Sequence, residues 1–412
     1  MEESMSVMDL SAEKKRAAGF SPRGVSEVRP PDGLLTAIPM RRGRLPLVIR
    51  DRAYGERGIL AAHRVSAWMT LAGCLLSGCA RPTGSFFTRS EQRLVWPPPP
   101  EKPRVEYLGE FAGSIRASGD RTLAKTWNEF LYGPDKPPSL VTPHAVSMSD
   151  DGTRLAVADP NANCVHLLDL DRQRYRRIDG SPTGDILLRC PVGVAWAGDD
   201  LFIVDSELHA LLCVKRTGGS LNRNDESTGS CRLIGQDLLK RPAGVTYNPV
   251  NDQLYVTDSG LHSVLVFDRS GSLIRSFGER GSGEGQFNFP SQIAVASDGS
   301  IVVADSMNFR VQRFSAVGAF LGVFGQKGDA AGHFALPKGV AVDAQGSIWV
   351  VDAQFENVQA FAPDGRLLMS LGQEGHRPGE FWLPAGVTID SRQRMWVADS
   401  YNRRVQGFQL LP

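Results

Sequence analysis

The stretch Pro290-Ser291-Gln292-Ile293-Ala294-Val295-Ala296-Ser297-Asp298-Gly299-Ser300-Ile301-Val302-Val303-Ala304-Asp305-Ser306 decides the fold. An apolar run, Ile293 to Val295, meets a turn at Ser297-Asp298-Gly299-Ser300, and a second run, Ile301 to Ala304, stops at Asp305-Ser306. Working outward, a third run, Arg310-Val311-Gln312-Arg313-Phe314, turns at Ala316-Val317-Gly318. A fourth, Ala319 to Phe324, ends in Gly325. Gly328 then leads through Gly332-His333-Phe334 to Pro337, where the pattern starts again.

Two markers give the period. Opening prolines fall at Pro143, Pro191, Pro242, Pro290, Pro337 and Pro384, spaced by 48, 51, 48, 47 and 47 residues. An aspartate closes the second run at Asp159, Asp205, Asp258, Asp305, Asp352 and Asp399. A fixed period of this length overrides the two or three domains that 412 residues would otherwise imply. Short runs rich in Val, Ile, Leu, Phe and Trp between Gly, Asp and Ser turns predict a four-stranded antiparallel sheet per unit. Such a sheet buries little alone and forms a continuous core when packed radially on copies of itself. The sequence therefore predicts an all-β, six-bladed propeller of four-stranded antiparallel blades.

The units resemble the NHL-repeat family. Pro337-Lys338-Gly339-Val340-Ala341-Val342-Asp343 matches its opening and Val397-Ala398-Asp399-Ser400-Tyr401-Asn402-Arg403-Arg404-Val405-Gln406 its centre. Phe324-Gly325-Gln326-Lys327-Gly328 matches its close. The resemblance spans about Pro143 to Leu410 and implies the propeller fold. It leaves function open, because such propellers include enzymes, RNA binders and scaffolds.

The sixth unit stops after its third run, at Val405 to Leu410, and lacks a fourth strand. Val105-Glu106-Tyr107-Leu108-Gly109 is similar to the fourth run Leu273-Ile274-Arg275-Ser276-Phe277-Gly278. Val105 to Phe111 is thus expected to complete the last blade and close the ring, removing an open edge. The spacing of Leu123, Trp127, Phe130 and Leu131 predicts a short helix over 121–132, before the first blade.

Upstream, residues 1–64 are polar and basic without sustained periodicity, and are expected to be disordered or to precede the true start. Arg64 and the twelve-residue run Val65 to Leu76 have the layout of a secretory signal, and the run is too short to cross a bilayer as a helix. Leu76-Ser77-Gly78-Cys79 resembles a bacterial lipobox, which implies cleavage before Cys79 and diacylglycerol on its thiol. Leu71-Ala72-Gly73-Cys74 also fits the box but would leave a shorter apolar core. The extension before Arg64 is long for such a signal and points to a start at Met40 or later. Residues 65–79 are therefore read as signal and lipobox. Residues 80–103, with Trp96-Pro97-Pro98-Pro99-Pro100, are read as a stiff Pro-rich tether, and 104–412 as the propeller. The expected address is extracytoplasmic and lipid-anchored, on the outer membrane or the periplasmic side of the inner one.

Composition narrows the partners. Residues 1–79 hold 12 of the 46 Lys+Arg and 8 of the 45 Asp+Glu, so the remainder carries 34 basic and 37 acidic residues, a formal −3. Nothing there favours nucleic acid, which requires clustered basic residues. Beyond Cys79 four cysteines remain, and an oxidising compartment favours their pairing. Aligning the second unit on the third predicts Cys213–Cys231 and, by shared loop face, Cys164–Cys190; the alternative is four inert buried thiols.

Ligands of propellers gather where the loops between second and third strands meet the blade-to-blade loops. Candidates there are His144, Asp205, His209, Asp258 and His262. NHL-like amidating lyases hold zinc through three histidines, which makes His144, His209 and His262 weak metal candidates. Positions after the opening prolines read His144, Val192, Ala243, Ser291, Lys338 and Ala385, so a single unit offers histidine there. The repeated aspartates, like Asp343 and Asp390, are better explained as turn formers that accept backbone N–H groups. No cofactor is expected, with Zn or Ca as the alternative. The leading expectation is a non-enzymatic binder of an envelope protein, peptide or glycan. The alternatives are a metal-dependent lyase or hydrolase and a structural part of an envelope or secretion assembly.

Overall fold

The computed structural model describes residues 87–112, 139–172, 174–215 and 230–412. The expected signal and lipobox, and the expected helix over 121–132, lie outside them. Three strands precede the repeats: β1 (Thr88–Arg89), β2 (Val95–Trp96) and β3 (Val105–Ala112). Blade 1 is β4 (Ala145–Met148), β5 (Arg154–Asp159), β6 (Cys164–Asp169) and β7 (Arg174–Ile178). Blade 2 is β8 (Pro191–Ala197), β9 (Asp200–Asp205), β10 (Ala210–Val214) and β11 (Cys231–Ile234). Blade 3 is β12 (Pro242–Asn248), β13 (Gln253–Asp258), β14 (Ser263–Asp268) and β15 (Leu273–Phe277). Blade 4 is β16 (Pro290–Val295), β17 (Ile301–Asp305), β18 (Arg310–Phe314) and β19 (Phe320–Phe324). Blade 5 is β20 (Pro337–Val342), β21 (Ile348–Asp352), β22 (Asn357–Phe361) and β23 (Leu367–Leu371). Blade 6 is β24 (Pro384–Ile389), β25 (Arg394–Asp399) and β26 (Arg404–Leu410), completed by β3. The described residues otherwise hold only two 3-10 turns, Pro160–Ala162 and Ser306–Asn308. The fold is the expected six-bladed, all-β propeller.

The core is six seams, one between each pair of neighbouring blades. The second strands bury every residue from Ile301 to Asp305 and from Ile348 to Asp352, which is why they read as unbroken apolar runs rather than as alternation. Their side chains still alternate between two seams. Along β25, Met395 and Val397 face blade 5, whereas Trp396 and Ala398 face blade 1.

Inner strands of adjacent blades come very close. A Cβ on Gly339 would stand 2.4 Å from the Ala385 carbonyl oxygen, and one on Gly386 would stand 2.6 Å from that of His144. Glycine two residues after the opening proline thus sets the ring's inner spacing. Gly339→Ala is expected to lower stability by about 1–3 kcal/mol through overpacking against backbone. A wild-type denaturation midpoint would contradict this.

Ring closure follows the sequence. β3 pairs antiparallel with β26, with Val105 opposite Leu410, Tyr107 opposite Phe408 and Phe111 opposite Val405. The strand runs from Val105 to Ala112, one residue beyond the expected Phe111, with a bulge at Gly407/Phe408.

The expected tether is corrected in part. β1 and β2 both pair with the outer edge of β3. The Trp96 ring packs edge-on against Phe408 at 6.0 Å, and Phe87 lies 4.9 Å from Phe111. Residues 87–96 are therefore a strap on blade 6, held because Leu94 and Trp96 extend the seam between blades 5 and 6 and because β3 needs a cover.

Candidate functional site

The face bearing the 2–3 loops is built on buried carboxylates. Each second strand ends in an aspartate with no exposed surface: Asp159, Asp205, Asp258, Asp305, Asp352 and Asp399. Asp205 accepts from the backbone N–H groups of Arg189 (2.7 Å), Cys190 (3.0 Å), Glu207 (3.1 Å) and Leu208 (3.0 Å). Asp258 accepts from Lys240 (2.7 Å), Arg241 (2.9 Å), Gly260 (2.8 Å) and Leu261 (3.0 Å) in the same way. One carboxylate thus clamps the incoming linker and its own loop together. Asp205 and Asp258 are occupied by backbone and offer nothing to a ligand.

Two blades add side-chain donors. Asp305 takes Asn308 Nδ2 (2.8 Å), Arg310 Nε (2.8 Å) and Gln312 Nε2 (3.1 Å). Asp399 takes Asn402 Nδ2 (2.8 Å), Arg404 Nε (2.7 Å) and Gln406 Nε2 (3.0 Å). In blade 1 the positions of that arginine and glutamine hold Cys164 and His166. His166 lies 3.3 Å from Asp159, 3.4 Å from the Cys164 sulfur and, through Nδ1, 3.0 Å from the Tyr175 hydroxyl. Burial would raise Asp159, but the bonds from His166 and the Val141 and Thr142 amides outweigh it and lower its pKa. The set has the residue types of a Cys-His-Asp nucleophile but not its chemistry. Cys164 has no exposed surface and burial pushes its thiol up to about 12. Thiol reagents at neutral pH are expected to leave Cys164 of the folded protein unmodified in an intact-mass measurement. Fast labelling would contradict that role.

The expected disulfides are absent. Cys164, Cys190, Cys213 and Cys231 are all free. Cys213 pairs with Arg232, and Cys231 with Val214. A one-residue offset in a strand reverses the face, so Cys213 enters the seam toward blade 3 while Cys231 borders the seam toward blade 1. Cys164 belongs to the network of blade 1, and Cys190 is held through its N–H by Asp205.

The three histidines are separated by role. His209 (φ 52°) and His262 (φ 56°) occupy the left-handed residue that ends a 2–3 loop, as do Asn163, Phe309, Glu356 and Arg403 in the other blades. His209 is exposed. His262 is buried, accepts the Phe289 N–H at 3.2 Å and packs edge-on to the Phe289 ring at 4.7 Å. His144 lies at the central channel with Nδ1 2.9 Å from the Val192 carbonyl. A carbonyl only accepts, so Nδ1 carries the proton. Burial and the nearby Lys338 lower the His144 pKa to about 4, and the ring is neutral at pH 7. Among the described residues no group of three or more His, Cys, Asp or Glu side chains is arranged to hold a metal ion.

Two channel residues escaped the sequence reading. Gln292 stands where four other blades carry glycine (Gly193, Gly244, Gly339 and Gly386), and its amide reaches across from blade 4 to the Val192 carbonyl of blade 2 at 3.3 Å. Lys338 follows the opening proline of blade 5 and is half-buried. At Gln292 the available signal was the break in the glycine pattern; the Lys338 position varies from unit to unit and gave none. The loop face also exposes Leu261 (39%), Phe289 (40%), Met307 (46%) and Trp382 (36%), from blade 3 round to the entry of blade 6, with Val141 (38%) at the entry of blade 1. The Tyr401 ring lies tilted against Trp382 at 5.4 Å.

Comparison with known proteins agrees with this architecture. A family model described as a 6-bladed beta-propeller matches residues 238–324, and one for the NHL repeat matches 381–408. Among solved structures, a protein of unknown function from Bacteroides thetaiotaomicron is 15% identical with a TM-score of 0.53, covering 75% of this chain and 76% of its own. A gluconolactonase from Xanthomonas campestris is 16% identical with a TM-score of 0.49, over 66% of this chain and 87% of its own. A virginiamycin B lyase from Staphylococcus aureus is 14% identical with a TM-score of 0.48, over 66% and 98%. At 15% identity the likeness to the Bacteroides protein is one of fold alone.

Proposed function

We propose that this protein is a lipid-anchored, extracytoplasmic propeller whose loop face binds a peptide segment of an envelope protein. The observation that carries the reading is the arc Leu261, Phe289, Met307 and Trp382, four exposed apolar side chains on a face whose repeated aspartates are all occupied by backbone and by each other's loops. Clamped loops present these side chains with little ordering cost, and an aromatic among exposed apolar neighbours is the usual anchor of a protein interface. The lipobox-like Leu76-Ser77-Gly78-Cys79 supports attachment through the Cys79 thiol.

Two measurements test this. Metabolic labelling with an alkynyl fatty acid should tag the protein, and Cys79→Ala should abolish the tag; an untagged wild type removes the anchor. A photocrosslinking residue at position 307 should give a defined peptide adduct in intact envelopes, lost in Trp382→Ala. Adducts that are diffuse, or indifferent to Trp382, remove the loop-face reading.

A further inference from the structure

The channel mouth holds a charge the fold does not need. The first strands meet there through neutral contacts. Ser291 Oγ donates to the Lys338 carbonyl at 2.8 Å, and the Thr257 hydroxyl donates to the Ser291 carbonyl. His144 and Gln292 both bond the Val192 carbonyl. None of these contacts uses the Lys338 ammonium. Among the described residues no carboxylate pairs with it, and burial alone sets its titration, downward from the ordinary lysine value. The aspartates of the flanking loops cannot serve. Asp305 is engaged by Arg310, Asn308 and Gln312, and Asp352 by the amides of Ala335, Leu336, Gln354 and Phe355.

An ammonium that no carboxylate of the described residues engages is free to take an anionic partner at the channel mouth. We infer that the channel mouth is a carboxylate site, in which Lys338 receives an acidic side chain of a bound peptide while Phe289, Met307 and Trp382 take the apolar residues beside it. The inference rests on the peptide-binding reading above and specifies its ligand. A single carboxylate matches the single charge of Lys338, whereas a phosphate dianion calls for further donors and His144 already has its proton on the Val192 carbonyl. The Leu, Met and Phe side chains of the arc favour a peptide over a glycan, since they offer exposed apolar surface rather than hydrogen bonds to hydroxyls.

The test uses the full chain and two blocked peptides, acetyl-Phe-Glu-Leu-amide and its Gln counterpart, followed by calorimetry and ligand-detected NMR. The acidic peptide should bind about tenfold more tightly, the worth of one charge-assisted hydrogen bond over a neutral one. Lys338→Met should erase that preference while Trp382→Ala weakens both peptides alike. Lys338→Gln serves as a second variant, and circular dichroism checks both folds. A preference unchanged in Lys338→Met overturns the carboxylate site and leaves the loop-face reading standing. Binding that depends on Lys338 but not on Trp382 overturns the seating of the apolar residues. Equal, Lys338-dependent binding of glucuronate overturns the peptide assignment, and stronger competition by inorganic phosphate overturns the carboxylate. No detectable binding of the acidic peptide at millimolar concentration overturns the inference altogether.

Discussion

Asp399→Ala should destabilise the propeller by about 3–5 kcal/mol, the cost of stranding one member of a buried ion pair. The Asp399 carboxylate has no exposed surface and sits 2.7 Å from Arg404 Nε, whose own side chain is only 5% exposed. It also receives the Trp382 N–H at 2.8 Å and the amides of Asn402 and Gln406. Alanine would leave all four donors facing a void. Arg404 would keep Glu110 at 2.8 Å and the carbonyls of His376, Arg377 and Glu380, which limits the loss but does not replace the nearest anion. Asp352→Ala should cost less, because it orphans backbone amides but no cation. Denaturation midpoints of the two variants decide the matter. An Asp399→Ala protein within about 0.5 kcal/mol of wild type, the range of neutral surface changes, would refute the clamp.

Phe111→Ala should cost about 3–5 kcal/mol, as expected for a large aromatic removed from a sealed core. Phe111 is 1% exposed and packs against Phe87 at 4.9 Å and Trp396 at 5.6 Å. It sits where the last blade meets the first, so its loss weakens both the blade and the ring. Removing β3 altogether should be worse. The edge of β26 from Arg404 to Leu410 would lose its partner, and Val105 and Tyr107 would leave the seam between blades 5 and 6. Such a chain should precipitate rather than accumulate as a monomer, since an open apolar edge invites pairing with another copy. Size-exclusion chromatography of the shortened protein gives the answer. A soluble monomer with unchanged melting would show that closure depends on something other than β3.

How much of this was legible depended on the range of the interaction. Strands, turns and blade count are local, and the spacing of Pro290, Asp305 and Pro337 displays them directly. Closure by Val105–Phe111 was readable because the sixth unit lacks a strand and a matching one stands upstream. The thiol pairing failed on a single residue of register, since Cys213 faces Arg232 and not Cys231. Prolines 97–100 drew attention to extension, whereas the placement of Trp96 is decided by Phe408 and Gly379, more than 280 residues away in sequence. The channel was opaque for the same reason. Nothing near Gln292 in sequence indicates that its amide crosses to Val192, and nothing near Lys338 shows that it lacks a counter-ion.

The strap on blade 6 changes what anchoring would mean. If Cys79 carries acyl chains, the leash ends where Phe87 meets the sheet, eight residue steps later, not at the far end of the proline run. Fully extended, that is at most about 29 Å of reach. The leash also leaves from the Glu110 end of β3, the rim nearest the 2–3 loops. A propeller anchored so short would skim the headgroups, and whatever it bound would have to lie within a few nanometres of the bilayer.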